Sequence, residues 1–251
     1  MRAIVLIALL FSSFNLMANC TVKLRVFDSP PNYYQDDNGQ WRGASVDLSV
    51  AIIKKAGCVV QYVYSPWKRA LYLMSLGKID MMSNLSITPK RSLYIDFFAE
   101  QHTEKVVVVA KKSTDIAINS LEDVKELAKP VGILAGTFYG EEFAEKIEND
   151  ALFFKKIAAF NQIEAMVNAL TNNRIIAFLH EEQSMQRMFR QTNNRQNLKI
   201  HPQILYENAV YFGLSRKSIN EQLTQKLTLA YNELKANGEL ARILLKYPAV
   251  Y

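Results

Sequence analysis

The chain has 251 residues, enough for more than one α/β unit, and its 30 basic against 24 acidic residues give a formal charge of +6. The basic residues are scattered and no Lys/Arg run is interleaved with aromatics, so composition gives no support to nucleic-acid binding. The three histidines, His102, His180 and His201, lack metal-site spacing, and no G-x-S-x-G, C-x-x-C or Walker sequence occurs. No metal, cofactor or familiar catalytic motif is therefore expected.

Arg2 precedes an apolar run from Ala3 to Phe11 and then Leu16-Met17-Ala18. This pattern predicts a secretory signal peptide over residues 1–18, cleaved after Ala18. The run is shorter than the roughly 20 apolar residues that span a bilayer. The mature chain is thus expected to be exported to the periplasm. The two cysteines, Cys20 and Cys58, each stand before a strand-like run, Val22 to Phe27 and Val59 to Tyr64. If those runs are adjacent parallel strands, their starts meet. A disulfide would then close a loop worth roughly 4 kcal/mol in the chain-entropy account. Two separate buried thiols are the alternative, and lipidation of Cys20 is disfavoured by Asn19 in front of it.

From Val22 onward strand-like and helix-like segments alternate, which predicts an α/β architecture with largely parallel sheets. A helix over Ser45 to Ala56 stops at Gly57, and a strand over Val59 to Tyr64 leads through Ser65-Pro66 into a helix carrying Trp67, Leu71 and Met74. A strand over Ile79 to Ser83 follows. A second series opens with the β-branched run Val106 to Ala110, then a capping box at Ser120-Leu121-Glu122-Asp123, and a strand over Val131 to Leu134. That strand turns at Ala135-Gly136-Thr137 into a helix from about Phe138. Asn161 to Glu164 caps another helix, Ile175 to Leu179 is a strand, and Gln191 to Asn197 is a polar loop. Val210 to Leu214 is the last strand, before helices over Ser218 to Asn237 and Glu239 to Tyr247. Two architecturally similar series point to two lobes.

The stretch Ser83 to Arg91 has the make-up of an anion clamp. Thr88 is a good N-cap, Pro89 suits the first helical position, and Arg91 falls in the first turn. Its planar guanidinium fits a carboxylate bidentately. Taken alone, the same pattern also describes a surface arginine on an ordinary helix start.

The clamp after a strand, Trp67-Lys68-Arg69-Ala70-Leu71 before Gly77-Lys78-Ile79-Asp80, and further motifs in order make the chain resemble bacterial solute-binding protein family 3. Those motifs include Leu24-Arg25-Val26, Pro30-Pro31, Gly43 with Val46-Asp47-Leu48, Asp96-Phe97, Val131-Gly132-Ile133 and Gly238-Glu239-Leu240-Ala241. The family comprises periplasmic receptors of ABC importers. The resemblance implies a two-lobed type II periplasmic binding protein fold with two crossing hinge segments. Lobe 1 would hold residues 19–105 and 208–251, and lobe 2 residues 106–207. Ligand would be trapped between them as they close.

The resemblance carries roles over residue by residue. Arg91 matches the carboxylate-binding arginine, with Ser86 and the turn at Asn84 as neighbouring donors. Glu181 falls where the family usually has an Asp for the ligand ammonium. Thr137 supplies a hydroxyl, although Phe138 stands where a second Thr is common. Trp67 matches a ligand-packing aromatic, and Asp28 lies near the cleft. Ser29 replaces an aromatic before the prolines, leaving Tyr34 as a substitute ring and Tyr33 as a surface tyrosine. The expected function is capture of a small carboxylate, an amino acid or derivative, by a monomer without catalysis. It would serve an inner-membrane ABC permease or present the ligand to a sensor receptor. A cyclohexadienyl dehydratase on the same scaffold is the alternative, with Glu181, His180 or His102 as general acid.

Overall fold

The computed structural model describes residues 20–191 and 197–247. The predicted signal peptide and most of the predicted loop from Gln191 to Asn197 lie outside them. Strand β1 (Thr21–Val26) sends Val22, Leu24 and Val26 to one face, where all three are fully buried, and Arg25 to the other. A short ribbon, β2 (Tyr34–Gln35) and β3 (Trp41–Arg42), leads into α1 (Ala44–Lys55), whose Leu48, Ile52 and Ile53 join the core beneath β1. Strand β4 (Val59–Tyr64) pairs in parallel with β1 from Thr21 opposite Val59 to Val26 opposite Tyr64. That register brings the preceding residues together, and Cys20 and Cys58 form a disulfide.

Helix α2 (Trp67–Ser75) and strand β5 (Met81–Leu85), parallel to β1, complete the first series and lead into the single-turn helix α3 (Pro89–Ser92). Strand β6 (Ile95–Lys111) is far longer than the predicted Val106 to Ala110. A 3₁₀ turn at Glu122–Glu126 stands at the predicted capping box, where the Asp123 carboxylate accepts from the backbone of Asn119 and Ser120. After β7 (Val131–Leu134), helix α4 (Glu141–Asn149) starts later than Phe138 because Gly140, with φ of 103°, breaks the backbone before it. Helix α5 (Ala151–Lys155), β8 (Ile157–Phe160), α6 (Ile163–Thr171), β9 (Ala177–Glu181) and α7 (Glu182–Gln191) follow. Strand β10 (Leu198–Ser215) again exceeds its predicted length, and α8 (Glu221–Ala236) and α9 (Glu239–Leu244) end the described chain.

Apart from the β2–β3 ribbon, the strands of the described residues form one sheet in the order β4-β1-β5-β10-β6-β9-β7-β8. Strands β6 and β10 are its spine, antiparallel from Ile95 opposite Ser215 to Lys111 opposite Leu198. At one end β10 pairs with β5 through Tyr211 to Leu214; at the other β6 pairs with β9 through Val106 to Ala110. Between those ends the two strands pair with each other alone, as two crossing segments should. The core divides accordingly. One part gathers β1, α1, Phe212 and α8, with Met82, Leu85 and Ile95 beside it. The other gathers Val106, Val108, Phe143, Phe153 and Leu179, with Met166 and Phe178 in a further cluster. The result is two lobes facing each other across a cleft.

Candidate functional site

The cleft holds a cavity lined from both lobes. On the first lobe, Thr88 takes extended backbone geometry and its Oγ1 accepts from Arg91 N at 3.2 Å, with Pro89 filling the first helical position. This cap fixes α3 directly after β5 and turns Arg91 inward, where it is 5% exposed. Arg91 Nη1 donates to the Ser86 carbonyl at 2.8 Å, and Nη2 to the Gly136 carbonyl of the opposite lobe at 3.0 Å. Trp67 Nε1 donates to the same oxygen at 3.1 Å. Gly136 has φ of +84°, a backbone conformation that residues with a side chain rarely adopt, so the turn after β7 favours a glycine where it packs against Lys68 of α2.

Of the residues singled out in the sequence, Arg91, Ser86, Asn84, Trp67, Thr137 and Glu181 all line the cavity. Asn84, with φ of 59°, does not offer its backbone N–H to the cavity as expected: that group donates to Gln101 Oε1 at 3.0 Å, while its Oδ1 accepts from Ser45. The Thr137 N–H closes the turn onto the Leu134 carbonyl. Phe138 lines the cavity beside it and packs edge-on against Tyr206. Asp28 and Tyr34 do not line the cavity. Asp28 follows β1 as an exposed side chain, and Tyr34 is drawn into the ribbon opposite Arg42. Tyr33, expected at the surface, is the buried member of the pair, hydrogen-bonded to the Ser83 hydroxyl.

Glu181 ends β9 and its carboxylate caps α7, accepting from Gln183 N at 2.7 Å, Ser184 N at 2.8 Å and Ser184 Oγ at 2.6 Å. Glu104, on β6, also lines the cavity. Burial, and next the charge of Glu181, push its carboxyl up to about 8, against the opposing pull of Arg91. A carboxyl held that high is mostly protonated at neutral pH. Burial pulls His180 down to about 4, so it is a neutral imidazole. Burial likewise lowers the pKa of Arg91 from its ordinary value.

Arg25 and Asn32 went unread in the sequence. Arg25 is 4% exposed, donates from Nε to the Ser65 carbonyl, and has its guanidinium over Phe27, Tyr33 and Trp67 at 5.3, 5.1 and 5.5 Å. The available signal was a strand arginine between Leu24 and Val26, which must be buried if both faces of β1 are covered. Asn32 is buried in the cavity wall, and its Oδ1 has no hydrogen-bond partner among the described residues.

The sequence profile of Bacterial extracellular solute-binding proteins, family 3, matches residues 25–249. The arginine-binding extracellular protein ArtP of Bacillus subtilis is 28% identical over 87% of this chain and 81% of its own length. The histidine-binding periplasmic protein of Escherichia coli K12 is 27% identical over 85% of this chain and 81% of its own. An ancestral arginine-binding protein bound to arginine superposes with a TM-score of 0.76 at 26% identity, covering 90% of this chain and 97% of that one. With its profile match, its two lobes and the cleft between them, the chain belongs to the bacterial extracellular solute-binding proteins of family 3.

Proposed function

We propose that this protein is a periplasmic receptor that captures a small amino acid or related carboxylate between its lobes and delivers it, as a monomer, to an inner-membrane ABC permease. The observation that carries this reading is Arg91, a buried guanidinium at the meeting of the lobes with no ion-pair partner among the described residues. In this reading Arg91 and Ser86 hold the ligand carboxylate, Trp67 packs on its carbon skeleton, and Thr137 adds a hydroxyl from the second lobe. Glu181 receives the ammonium on lone pairs left beside its three donors. Ligand favours the closed state because only closure lets both lobes reach it. The hinge lies near residues 105 and 208, where Lys105 faces Glu207 and Glu104 faces Asn208. Residues 1–18 are the export signal. A thermal-shift screen over amino acids, polyamines and organic acids tests the reading; a rise in melting temperature with an amino acid supports it, and no response to any carboxylate opposes it.

A further inference from the structure

Arg25 makes the cleft a site with two buried cations. It and Arg91 both line the cavity, at 4% and 5% exposure, and their guanidinium carbons stand 5.5 and 5.7 Å from the centre of the same Trp67 ring. Neither has an ion-pair partner among the described residues, where the ion pairs are made by other, more exposed side chains. A buried charge left unpaired is costly. The rings of Phe27, Tyr33 and Trp67 offset part of that cost for Arg25 through their faces, but they bring no counter-charge.

The acids that line the cavity do not supply one either. The Glu181 carboxylate is turned onto the first turn of α7, and Glu104 is held protonated by burial and by Glu181. The cleft is thus richer in positive than in negative charge. Resting on the amino-acid reading above, we propose that the ligand is an amino acid with a second carboxylate, its α-carboxylate on Arg91 and its side-chain carboxylate on Arg25. The planar fork of each arginine suits a carboxylate. The ammonium has Glu181 as its acceptor, on lone pairs beside the three donors of α7. A basic amino acid, of the kind named for the relatives, would bring a further cation toward Arg25. A neutral one would leave Arg25 without its counter-charge.

Titration calorimetry with L-glutamate, L-aspartate, L-glutamine, L-asparagine, L-arginine and L-histidine tests this on the wild-type protein. An acidic amino acid should bind at least about tenfold more tightly than its own amide, because the amide cannot neutralise Arg25. Arg25→Met, similar in length and uncharged, should lower the acidic ligand's affinity by about 30-fold or more and erase its preference over the amide. Tighter binding of arginine, histidine or an amide than of both acidic ligands would overturn the proposal while leaving the amino-acid reading intact. So would an acid-over-amide preference that survives in Arg25→Met. Binding of none of the six would overturn the proposal together with the reading it rests on. If Arg25→Met does not fold, the comparison of acid with amide on the wild type still decides.

Discussion

Arg91 and Gly136 meet across the cleft: Nη2 of the arginine on one lobe donates to the carbonyl oxygen of the glycine on the other at 3.0 Å. Trp67 Nε1 shares that acceptor. The first lobe therefore grips the second at one backbone oxygen, using the clamp arginine as one of the two donors.

Trp67→Phe keeps an aromatic ring at the start of α2 and removes the indole donor. One hydrogen bond contributes about 1 kcal/mol net, so the closed form should lose about fivefold in population relative to the open one. Small-angle scattering of the ligand-free protein should report a larger mean radius of gyration for the variant. An unchanged radius would mean that this contact does not hold the lobes together.

Stability should carry the mark of Glu104. Its carboxyl is at about 8 in the folded chain and near 4.5 as an ordinary glutamate, so between those values the native state keeps a proton that the unfolded chain releases. The stabilisation is complete below about 4.5 and is lost as pH rises through about 8. Glu104→Gln should flatten the decline of melting temperature across that window. His180 works in the other direction. At about 4 when folded and 6.5 ordinarily, it stays neutral where the unfolded chain gains a proton, so stability falls as pH drops through that interval. His180→Gln should make the acid limb shallower. Melting curves from acid to mildly alkaline pH, without ligand, measure both slopes.

The disulfide spans a separation of 38 residues and ties the start of β1 to the start of β4. Cys20→Ser with Cys58→Ser should lower unfolding free energy by about 4 kcal/mol in the chain-entropy account, read from urea denaturation. The wild type, unreduced, should yield no free thiol from this pair.

The sequence made the backbone of the site legible wherever local chemistry decides it. Thr88-Pro89 marks a helix start by itself, but Arg91 stands out from an ordinary surface arginine only through the resemblance; the pairing of Cys20 with Cys58 depends on two strands that begin together. What stayed hidden depends on which face of a strand or loop meets the other lobe. Arg25 sits between two core residues on β1, and only the α2 side of the sheet, with Trp67 on it, turns that position into cavity wall. Tyr33 and Tyr34 are adjacent and chemically alike, and the ribbon pairing of Tyr34 with Arg42 decides which of them points inward. Asp28 was assigned by resemblance across an altered segment, and the chain turns it to solvent. The crossing strands were underestimated because stretches such as Phe97 to Lys105 alternate weakly. Their extended form comes from pairing with each other.

Titration calorimetry of the wild type and of Arg91→Ala with the amino acid that gives the largest thermal shift tests the central claim most directly. The wild type should bind one equivalent, and the variant should lose about 2 to 5 kcal/mol of binding, because a buried carboxylate is then left without its charged partner. Equal affinity in the two proteins would contradict the assignment of Arg91 as the residue that holds the ligand.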